Sequence, residues 1–558
     1  MTSRLDMALQ RARTARRTFP CAPLPPAGHR VPVLIVGAGP VGLAAAADLR
    51  LHGIDCLVLE KHASVSDGSR AICWAKRTLE ICNRLGVAER MLAKGVTWNL
   101  GKVFVGDRVQ PLYTFDLLPL KDQQFPAFIN LQQYYVEEYL ADALAGGGDP
   151  VLRQHAVVAL QPLVDGVRVG VETPLGSYEI DCDWLIAADG SRSTVRELLG
   201  LAFEGRTFED NFLIADVRVD APFPAERRFY FQAPFNANRT ALMHRQPDNV
   251  WRLDFQLGWD IDREAAVRED NVTRLVQSLL GPDIAFEYEW VSLYTFQCRR
   301  MRQFVHDRVI FVGDAAHLVS PFGARGANGG LQDVDNLAWK LAATIKGTAG
   351  PGLLRSYDTE RVHAADENII NSTRATDFIT PKTAAAAAFG SAVIGLAGEH
   401  AFARAFVNSG RLSVPCHQRD SSLTTPDEDL FHASVQPGDA CVDAPVVGQG
   451  RWLMPRLGGE FTCLYFAGEG APGPAEVRAR LPRGVRLLAV GAGADEEAIN
   501  DPGGLLAQRY DGAPGAAYLI RPDQHVAARW RTFDPGRFAT ALARATGHHI
   551  QTPRSMTA

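Results

Sequence analysis

The stretch "VPVLIVGAGPVGLAAAADLRLHGIDCLVLE", from Val31 to Glu60, decides the fold of this 558-residue chain. It begins with an apolar run, passes through a glycine-rich turn and continues into an Ala- and Leu-rich segment that ends near Gly53. A second apolar run closes on Glu60. Strand, turn, helix and strand within about 30 residues form a βαβ unit, so we predict an α/β fold.

The turn of this unit has the pattern Gly37-x-Gly39-x-x-Gly42. Glycines at these positions let the backbone approach a pyrophosphate, and the N-terminus of the following helix stabilises its charge. Glu60 follows Gly42 by 18 residues and can accept hydrogen bonds from ribose hydroxyls. The pattern predicts a dinucleotide site, but it does not distinguish NAD from FAD.

Composition and charge exclude several classes of function. The net charge is −5, which leaves no basic surface for nucleic acid. The longest uncharged run, residues 383–398, is shorter than the roughly 20 residues that span a membrane. The nine cysteines are an odd number without a C-x-x-C pair, which predicts reduced thiols, no metal site and a cytoplasmic location.

Changes in sequence pattern predict the domain organisation. An Arg-rich and Pro-rich N-terminal segment is expected to be a loose arm, and a long helix is expected to begin near Asp333. A hairpin is expected to turn at Pro522-Asp523. The predicted segments are the arm (1–30), α/β sequence (31–205), an aromatic, alternating sheet (206–299), a mainly helical part (300–415), a polar linker (416–435) and a second α/β unit (436–549).

Two further motifs complete the pattern. "WLIAADGSRSTVR" places Asp189 at the end of a strand, and "FVGDAAHLVSPFGARGANGG" (Phe311 to Gly330) places Gly313-Asp314 after another. Together with the first turn, in this order and spacing, they resemble the class A flavin-dependent aromatic hydroxylases of the p-hydroxybenzoate hydroxylase type. The resemblance covers about residues 30 to 380. The whole length is most similar in layout to phenol hydroxylase and to the 3-(3-hydroxyphenyl)propionate hydroxylases.

This resemblance implies a Rossmann-like FAD-binding domain (31–205 and 300–415), interleaved with a substrate-binding sheet domain (206–299). It also implies a thioredoxin-like C-terminal domain (436–549). The thioredoxin position for C-x-x-C reads "EGAPGP" here, so we expect no redox activity in that domain. FAD is expected to be bound non-covalently, because the chain has no recognisable motif for covalent attachment.

The resemblance also implies which residues contact FAD. Asp314 is expected to bind the ribityl chain, and Arg70 to lie against the ribose and pyrophosphate. Gln133 is expected to reach the phosphates, with Gln132 as the alternative. The small residues after Pro321 would let the backbone approach the flavin ring. The predicted cofactor-binding residues are Gly37, Gly39, Pro40, Gly42, Glu60, Lys61, Arg70, Gln133, Asp189, Gly313, Asp314, Pro321, Gly326, Ala327 and Asn328.

The expected chemistry is hydroxylation of a small phenolic ring, ortho to an existing hydroxyl group. In the family, NADH or NADPH reduces FAD, and O2 then adds to give a C4a-hydroperoxide. The alternative is a flavoprotein reductase or oxidase of the same fold that does not hydroxylate rings. A homodimer is left open.

Catalytic candidates come from the loop and from the aromatic sheet. Arg325 would place a cation near flavin N1, whereas His317 is expected only to brace its turn. Residues that could deprotonate or orient a phenol are Tyr230, His244, Arg245, Asp254 and Tyr294. The sequence does not show which face of the sheet meets the substrate, and each of these side chains could equally be an ordinary sheet residue.

Overall fold

The computed structural model describes residues 3–68, 70–98, 100–116, 121–220, 223–407, 414–448, 450–491 and 498–548, with the backbone alone at residue 209. In this part of the chain there are 15 α-helices: α1 (Arg4–Thr14), α2 (Pro40–Leu51), α3 (Lys76–Arg84), α4 (Ala88–Lys94), α5 (Gln133–Ala145), α6 (Thr194–Leu198), α7 (Arg263–Ala266), α8 (Glu269–Leu280), α9 (Gly326–Ile345), α10 (Leu353–Ile379), α11 (Ala384–Ala397), α12 (Ala401–Val407), α13 (Pro474–Arg480), α14 (Leu505–Tyr510) and α15 (Pro535–Ala545).

The same described residues contain 24 strands. They are β1 (Arg30–Val36), β2 (Cys56–Glu60), β3 (Cys73–Ala75), β4 (Val96–Trp98), β5 (Leu100–Val105), β6 (Tyr113–Asp116), β7 (Phe128–Asn130), β8 (Val151–Arg153), β9 (Ala156–Pro162), β10 (Val167–Thr173), β11 (Gly176–Ala187), β12 (Glu204–Arg218), β13 (Arg227–Ala233), β14 (Arg239–Arg245), β15 (Val250–Gly258), β16 (Glu287–Arg300), β17 (Val305–His306), β18 (Val309–Phe311), β19 (His317–Leu318), β20 (Phe461–Phe466), β21 (Val485–Val490), β22 (Ala498–Ile499), β23 (Ala517–Ile520) and β24 (Val526–Trp530).

The first sheet contains the predicted βαβ unit. Its strand order is β17-β18-β11-β1-β2-β8, with β10 paired to β11 and β9 to β10. The neighbours from β18 to β8 are parallel. Val33, Leu34 and Ile35 of β1 are fully buried, as expected for a central parallel strand covered on both faces. The predicted α/β fold is confirmed.

The second sheet has the order β19-β16-β12-β15-β14-β13-β5-β6. Its core strands, β12 to β16, span Glu204–Arg300, close to the predicted segment. Two more strands, β5 and β6, come from within the range assigned to the first domain, and β5 pairs parallel to β13. Nothing in those short strands shows at the sequence level which sheet they join.

The two faces of the second sheet pack against different partners. Phe212, Leu242 and Phe296 share a core with Phe322, which follows β19, and we call their side the inner face. Leu213 and Phe255 point the other way, to the outer face, where α8 packs. A small third sheet, β3-β7-β4, joins the first two: Asn130 of β7 donates from Nδ2 to the carbonyl of Arg245 on β14 (2.7 Å).

The N-terminal segment is packed rather than loose. In α1, Leu5, Ala8 and Leu9 form one apolar stripe against the outer face, and helical spacing of these positions explains why the helix forms. The chain then crosses to the first sheet, where the amide of Phe19 donates to the carbonyl of Ala63 (2.7 Å). The Arg- and Pro-rich composition concealed this short amphipathic pattern.

The C-terminal part forms a separate five-stranded sheet of order β22-β21-β20-β23-β24. Strands β20, β21 and β22 are parallel, and β23 and β24 form an antiparallel hairpin across the predicted Pro522-Asp523 turn. The thioredoxin-like assignment stays a prediction. All nine cysteines are described and are free thiols, and both in this part, Cys441 and Cys463, are buried.

This hairpin turn inserts into the helices behind the first sheet. Arg521 donates to both carboxylate oxygens of Glu360 on α10 (2.8 and 2.9 Å), and it also pairs with Asp523. Lys340 of α9 donates to the same Glu360 carboxylate (2.7 Å). Each of these four side chains is at most 2% exposed. Charges this deeply buried are tolerated only because each one is paired, so the turn is bound at a specific position.

The turn also bonds to α3. Arg77 donates to the Gln524 side chain (2.7 Å), to the carbonyl of Asp523 (2.9 Å) and to Asp335 of α9 (2.7 Å). One arginine therefore connects the C-terminal hairpin with two helices of the first domain.

No single helix in the described ranges is long and apolar enough to cross a membrane; α10 and α11 reach that length and apolarity only as a pair bent by 91°.

We predict that Arg521→Ala destabilises the whole chain. The substitution leaves Glu360 and Asp523 buried with one partner fewer, which costs about 3–5 kcal/mol of unfolding free energy. Chemical denaturation of the purified protein measures this loss. Arg480→Ala is the control, because Arg480 pairs with Glu476 on an exposed helix surface (2.7 Å) and should cost about 0.5 kcal/mol. Equal losses in the two variants would contradict the docking role.

Candidate active site

The first glycine turn is built for a ligand at the N-terminus of α2. Gly37 has a φ of 104°, and a Cβ there would lie 2.5 Å from the carbonyl of Ala188. A Cβ on Gly42 would lie 1.9 Å from the carbonyl oxygen of Gly37. Pro40 occupies the first turn of α2, where a missing amide proton costs nothing. Gly37 and Gly42 are therefore required by the protein itself.

Gly39 differs from the other two glycines. Its backbone is extended (φ −71°), and a Cβ built on it meets no described protein atom within 4 Å. The protein alone therefore does not need a glycine at this position. A ligand that approaches the backbone closely would need one.

The acid at the end of β2 holds the turn in place. The Glu60 carboxylate accepts from the amide of Ala38 (2.8 Å) and from that of His62 (2.8 Å). It is half-buried, so part of the carboxylate remains available to ribose hydroxyls. Lys61 is exposed and lines a surface groove with His62.

Gln133 lies beside the segment that carries Arg70, and the Arg70 side chain is exposed. Gln133 accepts from the amide of Ala71 (3.1 Å) and donates to the Ser66 hydroxyl (3.0 Å). Gln132, the alternative, is buried and donates instead to the carbonyl of Pro247. The geometry favours Gln133.

Asp189 lies beside the first turn. Its Oδ2 accepts from the amide of Val195 (3.0 Å), while Oδ1 is buried and has no hydrogen-bond partner among the described residues. Burial raises the pKa of this carboxyl. A buried, unmatched oxygen next to a glycine turn indicates a ligand group or an ordered water.

A second helix N-terminus points into the same cleft. Gly313 has a φ of 58°, and its amide donates to Asp333 of α9 (2.9 Å). A Cβ on Gly330 would lie 2.7 Å from Val41 and 3.1 Å from Cα of Gly313, so the first turns of α2 and α9 touch. Glycine is needed at position 330 for this close approach. The helix α9 therefore tolerates glycines in its first turns, and it starts at Gly326 and not near Asp333 as predicted.

Asp314 lies between the two helices. It is exposed, yet enough protein surrounds it that desolvation raises the pKa of its carboxyl, against the opposing charges of His317 and Arg70. Tyr294 on the inner face is 40% exposed, and the charges of Asp314 and Arg70 also act on it. These three exposed side chains therefore lie near one another at the protein surface.

The loop before α9 is a tight turn built mainly from small residues. Pro321 is exposed and opens a turn in which the amide of Ala324 donates to its carbonyl (3.0 Å). Gly323 and Ala324 both have positive φ, 102° and 53°. Gly326 and Ala327, both half-buried, then begin α9. At these two positions no large side chain would keep a planar ring from the backbone.

Arg325 lies differently from the expectation. Its guanidinium turns back over Gly323 and donates to the carbonyl of Phe322 (3.1 Å), and the residue is 5% exposed. Burial lowers the pKa of Arg325 to about 10, so it remains charged at neutral pH. The side chain braces the loop from within.

Asn328 and His317 hold the loop from behind. Asn328 accepts from the amide of Ala75 (2.9 Å) and the hydroxyl of Thr78 (2.6 Å). It donates to the carbonyls of Cys73 and Ala324. These bonds occupy its side chain, so any contact from Asn328 to FAD would come from its backbone. His317 bonds to Asp333 (2.7 Å), in agreement with the expected bracing role.

The predicted sheet residues divide between the two faces. Tyr230 lies on the outer face, stacked on Phe104 with ring centroids 5.0 Å apart, and Arg245 lies over Trp251 on the same side. His244 and Asp254 lie on the inner face, with Nε2 and Oδ2 3.7 Å apart. The structure therefore brings His244, Asp254 and Tyr294 toward the cleft and leaves Tyr230 and Arg245 out.

The polar pair on the inner face has unusual acid–base properties. Burial raises the pKa of Asp254 to about 6, while Arg252 and Arg227 oppose the rise. Burial and the same two arginines lower the pKa of His244 well below its ordinary value, so the imidazole is neutral at physiological pH. Asp254 is nevertheless partly exposed, which shows that a solvent-accessible space reaches it.

Sequence reasoning missed the opposite wall of this space. Cys73 of β3 and Trp98 of β4 share Asn130 Oδ1, which accepts from the thiol (3.2 Å) and from the indole (2.8 Å). Arg227 of β13 lies near both, 5.8 Å from the Trp98 ring. Ala324 of the loop packs against the same Trp98 cluster. These residues lie in short strands without a motif, so no pattern marked them.

The described residues fit FAD. Two helix N-termini meet at one cleft, an acid stands at the ribose position, Gly39 leaves room at the pyrophosphate position, and a small-residue loop is open beside the polar inner face. Phosphate charge is favoured at helix N-termini, and a ring can lie along the loop.

Comparison with known proteins agrees with this fit. A family model described as an FAD-binding domain matches residues 30–372. The chain belongs to the FAD-binding family of flavin-dependent aromatic hydroxylases. The 6-methylpretetramide 4-monooxygenase of Streptomyces rimosus is 32% identical over 539 residues, covering 91% of this chain and 92% of that protein. The predicted family and cofactor are confirmed, and the chain is a flavin-dependent monooxygenase.

A second relative and two solved structures are also similar. The 3-(3-hydroxy-phenyl)propionate/3-hydroxycinnamic acid hydroxylase of Burkholderia cenocepacia is 28% identical, over 90% of this chain and 94% of that protein. The monooxygenase PieE, solved with FAD and substrate, has a TM-score of 0.80 at 23% identity, over 94% of this chain and all of that one. Aklavinone-11 hydroxylase has a TM-score of 0.76 at 24% identity, over 93% and 99%. At these identities the two structures support the fold alone.

We predict that Gly39→Ala folds normally but binds FAD about tenfold more weakly, equivalent to about 1.4 kcal/mol. The new methyl group meets open space in the protein but obstructs the approach of the pyrophosphate. Equilibrium dialysis measures FAD affinity, and circular dichroism checks the fold. Gly395→Ala, also free of contacts, is the matched control and should bind FAD normally. Unchanged FAD affinity in Gly39→Ala would contradict the site.

Proposed function

We propose that this monooxygenase inserts one atom of O2 into a phenolic ring, ortho to an existing hydroxyl group. NADH or NADPH provides the electrons, and FAD is bound non-covalently. One O2, one reduced nicotinamide and one proton are consumed, and the products are the hydroxylated ring, the oxidised nicotinamide and water. The alternative is a reductase or oxidase of the same fold without ring hydroxylation.

The observation that carries this proposal is Asp254 on the inner face. Its pKa is raised to about 6, so Asp254 is still a carboxylate at neutral pH. The rise makes it a stronger proton acceptor than an ordinary aspartate. A phenol that gives up its proton becomes more electron-rich, and the ring carbon ortho to the oxygen becomes more reactive. His244, neutral and 3.7 Å away, can hydrogen-bond the same group.

The cofactor supplies the redox chemistry: bound FAD accepts electrons from the nicotinamide and activates O2. The protein supplies position and shielding. Phe212, Phe296 and Phe322 form an aromatic cluster beside the loop, with ring centroids 4.6 to 5.3 Å apart. With FAD bound, this cluster would keep water from one side of the site. Backbone amides at the start of α9 would stabilise negative charge on the flavin ring, and Arg325 would hold the loop in shape.

The reaction is tested by labelling with ¹⁸O2. A panel of phenols, including 6-methylpretetramide and 3-(3-hydroxyphenyl)propionate, is screened for stimulated NAD(P)H oxidation, and products of accepted phenols are analysed by mass. We expect one ¹⁸O atom per product molecule, placed ortho to a hydroxyl group. Nicotinamide oxidation that no phenol stimulates, or product without the label, would favour the reductase or oxidase.

The role of Asp254 predicts a pH profile. Below about pH 6 the carboxyl is protonated and cannot accept a proton, so kcat/KM should rise about tenfold per pH unit up to that value and then level off. Asp254→Asn should lower kcat/KM by about 10²–10⁴-fold and abolish this rise.

Asp260→Asn is the control for this substitution, because Asp260 is exposed just after β15. It should keep the wild-type profile. If Asp254→Asn retained the same rise near pH 6, another group would be the base.

A further inference from the structure

On the inner face, one buried arginine has guanidinium nitrogens without a hydrogen-bond partner. Arg227 is 4% exposed, and its Nε and Nη1 have no hydrogen-bond partner among the described residues. Its neighbour on the same face, Arg252, is bonded through two nitrogens to Asp216 (2.7 and 2.8 Å). A buried guanidinium without such a partner is costly to the protein, so its position needs another explanation.

The surroundings of Arg227 define a binding site for part of a flat ring. The guanidinium lies 4.6 Å from the Phe229 ring centroid and 5.8 Å from that of Trp98. The ionisable groups that act on it are Asp254 of β15 and the Cys73 thiol of β3. His244 of β14 and Arg252 complete the charged or titratable neighbours. Aromatic rings, two arginines and one proton acceptor thus lie close together on the inner face.

We propose that Arg227 binds the substrate oxygen that Asp254 deprotonates, and so stabilises it as a phenolate. This inference rests on the proposed function. The phenol O–H bond breaks, its proton goes to the Asp254 carboxylate, and the negative charge stays on the substrate oxygen beside the guanidinium. The net charge is conserved: the negative charge moves from the Asp254 carboxylate to the substrate oxygen, which then lies beside the Arg227 guanidinium.

A single fixed donor to a developing oxyanion is worth about 10²–10³-fold in rate. The corresponding variant is Arg227→Gln, which keeps a polar side chain and removes the charge. For a phenol that the enzyme accepts, we expect kcat to fall by about 10²-fold. The loss should shrink for more acidic phenols, such as fluorinated ones, because these need less help to ionise. Arg227→Lys keeps the charge and should restore part of the rate.

Stability separates this role from a merely structural one. Because two buried nitrogens of Arg227 make no hydrogen bond to the described residues, Arg227→Gln should leave the thermal midpoint of the holoenzyme unchanged or raise it. A structural arginine would lower it. The control is Arg228→Gln on the outer face, which removes a pair with Glu226 (2.8 Å) and should keep the wild-type rate and its dependence on phenol acidity.

The outcomes distinguish this inference from the proposed function. If no phenol is hydroxylated by the wild-type enzyme, the proposed function fails. If phenols are hydroxylated but Arg227→Gln has wild-type kcat, or loses the same factor for every phenol, the phenolate role is wrong. If only the KM of carboxylate-bearing substrates rises while kcat is unchanged, Arg227 binds a carboxylate instead.

Discussion

The side chain of Asn328 fixes the geometry on which the rest of the site depends. It bonds at once to the loop through the carbonyl of Ala324, to β3 through Cys73 and Ala75, and to the start of α3 through Thr78. The loop carries the backbone that we propose to face the flavin, and β3 is part of the wall opposite the inner face. One amide therefore sets the separation between the cofactor position and the substrate space.

The same helix connects this site to the remote end of the molecule. Along α9, Asp333 bonds to the amide of Gly313 and to Arg361 (2.9 and 2.7 Å), and Asn336 and Lys340 bond to Glu360. The C-terminal hairpin completes this network with Arg521. Buried ion pairs of this kind add little net stability, but they hold the elements that carry them in one defined arrangement. Here those elements include α9, whose first turn is part of the site.

The sequence predicted the parts of the site that lie in local motifs. Three such motifs lie between Gly37 and Asn328: the glycine turn, the Asp-Gly strand ends and the small-residue loop. Each needs particular residues at fixed spacing, so each can be identified in the sequence. The position of α9 was misjudged, because glycine at 326 and 330 normally breaks a helix. At position 330, close contact with Val41 requires a glycine. The sequence also does not show the direction of a side chain. Arg325 was expected to place its charge near the flavin, but its guanidinium turns back into the loop.

The parts of the site that depend on strand pairing could not be predicted from the sequence. Side chains alternate between the two faces of a strand, so Tyr230 and Phe229 lie on opposite faces of the sheet. Which of them faces the cofactor depends on which side α8 covers, and the alternation of the sequence does not show this. Arg227, Cys73 and Trp98 come together only because β3, β4 and β13 belong to two sheets that pack on each other. A buried arginine with unmatched donors is visible only once its neighbours in space are known.

The central claim is that the flavin ring lies along residues 320–326 and faces a phenolic oxygen held between Arg227 and Asp254. A crystal structure of the FAD-bound enzyme with an accepted phenol tests this most directly. We expect the isoalloxazine ring against the loop backbone, and the phenol oxygen about 3 Å from the Arg227 guanidinium or the Asp254 carboxylate. A phenol bound on the outer face near Tyr230, or an isoalloxazine ring away from the start of α9, would contradict it.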